Sequence, residues 1–275
     1  MKVQRVSTEN DVFQVLVSLR DNRQKRAKRG VIFVEGVAPI NALADADPDT
    51  HAVAYARNAR LSDWAVETIE RLSPETGYEL APDLMQRLSQ RSEPSELIVL
   101  AARPGRELTE IEPGRRLAVA IVDRPANPGN LGSLIRSADA LGVTAVVTTG
   151  HGVDIYDPRV IRASLGACFS TPVIHEPSVH RLVAWFDEVR TGDPPARVVG
   201  TDSAGATAIG DAALSPPLVM VFGNEATGLS VNLREVVDET VAIPLSGRVD
   251  SLNLACAASI LFYEVGLPAP VDRHR

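Results

Sequence analysis

Cysteine is scarce in this 275-residue chain: Cys168 and Cys256 are the whole complement. Both fall inside apolar helical patterns, which fits a reducing cytosol better than a disulfide scaffold. No uninterrupted apolar run reaches the roughly 20 residues that a bilayer span requires, and no charged-then-apolar layout opens the chain. A soluble, cytoplasmic protein is the expectation. The five histidines, His51, His151, His175, His180 and His274, are scattered without ligand spacing relative to the cysteines, so no metal is expected. Positive charge is also lacking overall. With 28 basic against 35 acidic residues the formal net charge is -7, which argues against non-specific coating of nucleic acid. Local polarity differs from the sum, because Arg20, Arg23, Lys25, Arg26, Lys28 and Arg29 crowd one short stretch interrupted only by Asp21. Such a run is either a solvated helix end or an RNA-binding surface.

An apolar content of 45% in a chain of this length supports one large core or two modest ones. From Asn10 the positions Val12, Phe13, Leu16, Val17 and Leu19 follow helical spacing, and the basic run continues that helix to Gly30. Short buried strands are expected at residues 31–34, 51–56 and 97–101, with helices at 37–44, 61–72 and 82–88 between them. Two Pro-Gly pairs, Pro104-Gly105 and Pro113-Gly114, sit in a stretch without a periodic apolar face. It reads as a linker over residues 103–116, dividing a domain at 1–102 from another at 117–275. Beyond it, strands at 117–122, 145–148, 172–174, 197–200, 218–222 and 240–243 alternate with helices at 131–141, 160–169, 179–189, 229–237 and 252–265. That rhythm predicts an α/β fold with a mainly parallel sheet, whose ligands bind beyond the strand C-termini.

Three segments fall at such strand ends. Residues 123–132, Asp-Arg-Pro-Ala-Asn-Pro-Gly-Asn-Leu-Gly, form a turn-rich loop leading into a helix that carries Arg136. Backbone N–H groups and a guanidinium brought together there would suit an anion such as a phosphate or a carboxylate, whereas Arg136 taken alone reads as a surface helix arginine. The glycine spacing is not that of a dinucleotide fingerprint. Residues 222–229, Phe-Gly-Asn-Glu-Ala-Thr-Gly-Leu, place Gly223 where backbone can approach a ligand and Glu225 near the next helix start, where helix capping alone would account for it. Residues 243–253 run from Ile243-Pro244-Leu245 to Ser251-Leu252-Asn253. Asp250 or Ser251 can cap the last helix, and Asn253, in its first turn, can offer a donor and an acceptor to a ligand.

In this order and at these positions, the segments resemble the three motifs of the SpoU (TrmH-like) family of RNA 2′-O-ribose methyltransferases, within the SPOUT class. Asn130, Gly132, Arg136 and Ala138 fit the first motif. Gly223, Asn224, Glu225, Gly228 and Leu229 fit the second, and Ile243, Pro244, Ser251, Leu252 and Asn253 the third. Leu245 stands where methionine is common. The resemblance spans residues 117–265. Residues 1–102, through the basic run followed by Phe33-Val34-Glu35-Gly36, resemble the family's ribosomal-protein-like substrate-recognition domain, of both the housekeeping and the thiostrepton-resistance kinds.

The resemblance implies a sheet closed by a C-terminal trefoil knot, S-adenosylmethionine as cofactor, and a homodimer in which Arg136 lies near the partner's cofactor. By it, Gly200, Thr201, Gly223, Ile243, Leu245, Leu252 and Asn253 hold the cofactor. Arg23, Lys25, Arg26, Lys28 and Arg29 hold RNA, ribosomal in preference to transfer RNA. Arg136 is the family's proposed base, but a guanidinium stays protonated, so a phosphate-holding and charge-stabilising role suits it better. Asn130, Glu225 and Ser251 would position Arg136 and the ribose. The rival expectations are a catalytically idle RNA-binding or ribosome-associated protein of the same fold, or a methyltransferase of small molecules or proteins.

Overall fold

The computed structural model describes residues 1–89 and 91–266. Two compact units make it up, residues 1–105 with 156–169, and residues 106–155 with those from 170 onward.

In the first unit a mixed five-stranded sheet has the order β1 (Lys2–Val6), β4 (Thr76–Leu80), β3 (Thr50–Ala56), β5 (Ile98–Ala102), β2 (Val31–Glu35). Strands β1 and β4 lack the apolar runs by which the others were legible. Lys2, Gln4, Arg5 and Glu79 interrupt them, as befits an edge strand and its neighbour. Helices α1 (Asp11–Asp21), α2 (Arg23–Arg29), α3 (Val37–Asp45), α4 (Asp63–Leu72) and α5 (Pro82–Leu88) complete it. Phe13, Leu16 and Leu19 of α1 join Leu84, Met85 and Leu88 of α5 in the core.

The single N-terminal helix expected to reach Gly30 is two helices. Asn22, with extended backbone, ends α1, and its side chain accepts the Lys25 N–H to start α2. Arg26 then turns inward. It is 1% exposed, its Nη1 donates to the carbonyls of Leu19 (3.1 Å) and Arg20 (2.8 Å), and its Nη2 lies 3.8 Å from Asp157 Oδ2. The carbonyls that α1 leaves unpaired at its C-terminus are thus met by a cation.

The second unit begins at residue 106, inside the stretch 103–116 expected to be a linker. Leu108 and Ile111 are in fact buried in its core. Strand β6 (Ala118–Asp123), helix α6 (Pro128–Ala140) and strand β7 (Ala145–Thr149) follow. Residues 156–169 then belong to the first unit. They hold α7 (Pro158–Ala163), capped by Asp157, and most of α8 (Ala167–Ser170). One helix over 160–169 was expected. Leu165 (φ +53°) and Gly166 (φ +86°) break it, and a Cβ on Gly166 would lie 2.6 Å from Ala42 Cβ and 2.9 Å from Pro39 Cα. Burial pushes the Asp157 carboxyl up, but hydrogen bonds from Arg159 and the charge of Arg26 outweigh it and leave it lowered.

The chain continues through β8 (Val173–Glu176), α9 (Val179–Arg190), β9 (Arg197–Thr201), β10 (Thr207–Ala208), β11 (Leu218–Phe222), α10 (Val231–Arg234), β12 (Glu239–Ala242) and α11 (Leu254–Val265). The seven-stranded sheet has the order β10-β12-β9-β11-β6-β7-β8, and every pairing is parallel. Continuous aliphatic runs in β6, β7 and β11 are what burial on both faces demands. Register aligns Phe222 with Val122 and Thr201, and Asp123 with Thr149. The ends of β6, β7, β9 and β11 therefore open on one edge, where the candidate residues gather.

Candidate functional site

Three carboxamide and carboxylate side chains, from three distant segments, form one hydrogen-bonded chain above that edge. Glu225 accepts the Ala126 N–H and Asn130 Nδ2, each at 3.2 Å. Asn253 Nδ2 donates to Asn130 Oδ1 at 2.9 Å, while Asn253 Oδ1 takes the Ala255 N–H at 2.9 Å and caps α11. Asn253, expected inside the last helix, is thus its N-cap, and neither Asp250 nor Ser251 is. Asn127 caps α6 by accepting Gly129 and Asn130 N–H groups, which brings Asn130 to Glu225. Glu225 caps nothing. The helix expected at 229–237 is the four-residue α10, with Ser230 at its N-cap position.

Below this chain the buried Asp123, 2% exposed, accepts Arg124 Nε and Nη2, both at 3.0 Å, and the Ser230 N–H at 2.8 Å. Arg124 adopts φ +49°. Its Nη2 also donates to the Gly228 carbonyl, and its own carbonyl accepts Asn224 Nδ2 at 2.7 Å. Hydrogen bonding to Asp123 raises the Arg124 pKa further, so the guanidinium is a fixed cation. Asn224 Oδ1 closes the turn on the N–H groups of Ala226 and Thr227. A Cβ on Gly223 would meet the Gly228 carbonyl carbon at 2.4 Å and Leu229 N at 2.5 Å. The glycine therefore admits the molecule's own turn, where ligand backbone contact had been expected. Asp123 and Arg124 were missed as site residues because a strand-end acid gives no sign in sequence that it is buried.

A cavity of about 340 Å³ lies beside this turn, within the range of small-molecule sites. Thr201, Gly223, Ile243, Leu245 and Leu252, all expected to hold cofactor, line it, as do Glu225 and Ser251. Phe222, Asp202, Ser203, Asp250 and Leu261 line it too, and went unrecognised in the sequence. Gly200 does not line it; it is buried against Leu229 and Val237. Asn253 also stands outside, reaching the site through Asn130. Among the described residues the lining has three carboxylates, Asp202, Glu225 and Asp250, and no lysine, arginine or histidine. Asp202 is paired with Arg234 Nη2 at 2.7 Å, and the other two carboxylates, Glu225 and Asp250, suit a ligand that carries a cationic sulfonium. S-adenosylmethionine fits.

Arg136 is exposed on α6 and, among the described residues, makes no hydrogen bond or ion pair within its chain. In the first unit Arg23, Lys25, Lys28 and Arg29 are exposed on α2. Arg26, expected with them to meet RNA, cannot, since its guanidinium is spent inside the fold. Converting Arg26 to alanine should destabilise the chain by about 3 kcal/mol, read as a lowered denaturation midpoint. Neutralising Arg23, Lys25, Lys28 and Arg29 together should leave that midpoint in place and lower the slope of log K for RNA against log salt by about 3. An unchanged slope would remove α2 from the RNA interface. No His, Cys, Asp and Glu grouping suited to a metal occurs among the described residues.

Comparison with known proteins agrees with this geometry. Residues 118–263 match the model of the SpoU rRNA methylase family, and residues 10–99 that of the SpoU L30e-like domain. The 23S rRNA (uridine(2479)-2′-O)-methyltransferase of Streptomyces viridochromogenes is 36% identical over 261 residues, 94% of this chain and 91% of that protein. A 23S rRNA (guanosine(2553)-2′-O)-methyltransferase of Bacillus subtilis is 29% identical over 70% of this chain and 74% of its own length. Among solved structures, the SpoU methyltransferase AviRb of S. viridochromogenes in complex with AdoMet superposes with a TM-score of 0.87 at 36% identity, covering 94% of this chain and 97% of that one. An AdoMet-bound rRNA methyltransferase of Sinorhizobium meliloti gives 0.84 at 25% identity, covering 96% and 97%. With family models matching residues 118–263 and 10–99, and its three strand-end segments joined by one hydrogen-bonded chain beside the cavity, this chain belongs to the SpoU rRNA methylase family.

Proposed function

We propose that this protein transfers a methyl group from S-adenosylmethionine to a ribose 2′-hydroxyl in ribosomal RNA, with the cofactor in the carboxylate-lined cavity. The observation that carries this reading is the Glu225–Asn130–Asn253 chain, which joins all three motif segments beside a cavity whose charge suits a sulfonium. S-adenosylmethionine, when bound, supplies an electrophilic methyl group.

The chain's own residues do the rest. In-line displacement requires oxygen, carbon and sulfur to be aligned. Asn130 and Glu225, fixed by Asn253 and by the Ala126 N–H, stand beside the cavity to hold the ribose. Both Glu225 oxygens already accept hydrogen bonds, from the Ala126 N–H and Asn130 Nδ2, so the side chain is engaged in orienting its neighbours. Arg136 binds the adjacent phosphate and stabilises the charge that develops on the 2′-oxygen, whose proton leaves to solvent. Its lack of a partner among the described residues of its own chain supports a homodimer in which it serves the facing protomer. Helix α11, bound to α6 through Ser259 Oγ and Ser137 Oγ at 2.7 Å, carries Ile260 and Tyr263 40% and 76% exposed on one face, an apolar stripe for such a contact. Knotted threading of residues beyond β11 belongs to the same proposal, supported by the insertion of β11 between β6 and β9.

The test is transfer of a labelled methyl from S-adenosylmethionine to ribosomal RNA of cells lacking the gene, with mapping of 2′-O-methyl positions. Label at one ribose is the expected result. RNA binding without label would favour the idle RNA-binding protein, and label in protein or small molecules alone would move the substrate class.

A further inference from the structure

A second, more open groove of about 540 Å³ borders the same motif residues on another side, lined by Arg124, Pro125, Ala126, Asn224 and Thr227 and by the loop His151-Gly152-Val153. That loop lies outside all three motif segments, yet it is built against the first of them. The Arg124 N–H donates to the Thr149 carbonyl and the Val153 N–H to the Pro125 carbonyl, both at 2.9 Å. Glycine flanks His151 on each side for a steric reason. A Cβ on Gly150 (φ +68°) would lie 2.7 Å from Arg124 Cγ, and one on Gly152 would lie 2.8 Å from Pro125 Cδ and its carbonyl oxygen. Two glycines thus pin a tight loop whose tip presents an exposed imidazole. The ring makes no hydrogen bond within the chain among the described residues. Nearby, Arg124 uses Nε and Nη2 within the fold, and among the described residues its Nη1 makes no hydrogen bond.

The groove therefore combines a flat aromatic ring, a cationic donor and the apolar Pro125, Ala126 and Val153, on a loop packed closely against residues 124 and 125. It joins the cofactor cavity through shared Asn224, and Ala126 is the residue whose N–H orients Glu225. We propose that this groove receives the base of the target nucleotide, stacked on His151, with Arg124 Nη1 donating to a keto oxygen of the base. Stacking on an aromatic side chain and hydrogen bonding at the base edge are how unpaired bases are commonly held. A ribose placed beside Asn130 and Glu225 then has its base directed into the neighbouring space. The inference rests on the activity proposed above and adds to it the element that reads the base.

The test uses the full-length protein and a short RNA spanning the mapped nucleotide, made with the natural base or with an abasic ribose at the target. On the natural RNA, His151→Ala should lower kcat/KM by about tenfold, with cofactor affinity unchanged. His151→Phe should restore most of the loss. On the abasic RNA, His151→Ala and the unaltered chain should perform alike. Equal loss on both RNAs, no loss on the natural RNA, or failure of His151→Phe to rescue would each overturn the proposal. Failure of the underlying activity has a different signature, absence of methyl transfer by the unaltered chain to any RNA, and would take this inference with it.

Discussion

Exchanging Arg136 for lysine is expected to lower kcat for methyl transfer by about a hundredfold while leaving cofactor and RNA affinity in place. The size follows from what loss of one preorganised donor to a developing oxyanion costs. The side chain's position says why lysine is a poor substitute. Arg136 is exposed and, among the described residues, has no partner in its own chain, so its fork can bracket a phosphate and the reacting oxygen together. A lysine keeps the charge and loses the planar, two-pronged geometry. Near-normal turnover by the lysine variant would end any special role for the fork. Mixing locates the residue's workplace. A chain bearing Ala257→Trp, which fills the cavity that Ala257 lines, has no cofactor but still offers Arg136. Paired at random with the Arg136→Lys chain, it should restore about one quarter of unaltered activity if arginine serves the facing protomer. Recovery of nothing would place Arg136 in its own chain's site.

Much of this architecture was legible because aliphatic runs and turn residues speak locally. Strands β6, β9 and β11 were readable as buried runs, and so were the segments that leave them. Less legible were features that depend on a distant partner. Arg26 sits in a basic run and looks like its neighbours; only the carbonyls ending α1 and the carboxylate of Asp157 make it a core residue. Gly223 was readable as a close-approach glycine but not as one approached by residues 228–229 of its own turn. Asp123 and Arg124 carry the network that binds the first segment to the second, through contacts more than 100 positions apart. No periodicity encodes such pairings. The residues lining the cavity show the same division. Most of those inside the segments were found, Phe222 and Asp250 excepted, whereas Asp202 and Leu261, which follow β9 and lie on α11, gave no sign.

Asn253→Asp is expected to leave thermal stability close to that of the unaltered chain and to lower kcat by about a hundredfold. Aspartate caps a helix as well as asparagine does, so the bond from the Ala255 N–H survives. What changes is the other half of the side chain. Because Asn253 Oδ1 must face the cap, its Nδ2 faces Asn130, which must then offer Oδ1 and turn its own Nδ2 to Glu225. Each amide orientation is assigned by this network, and each leaves only one choice for the next. A carboxylate at position 253 presents an acceptor where a donor stood. Asn130 can answer only by flipping, which turns its oxygen toward the oxygens of Glu225, or by losing its contact with residue 253. Either response releases the group that orients the ribose. A helix cap therefore sets the polarity of the site, and the substitution separates the two roles of one residue. Should the variant lose stability and activity together, Asn253 is a cap whose loss disorders α11. Should it keep both, the chain from Asn253 to Glu225 does not govern catalysis.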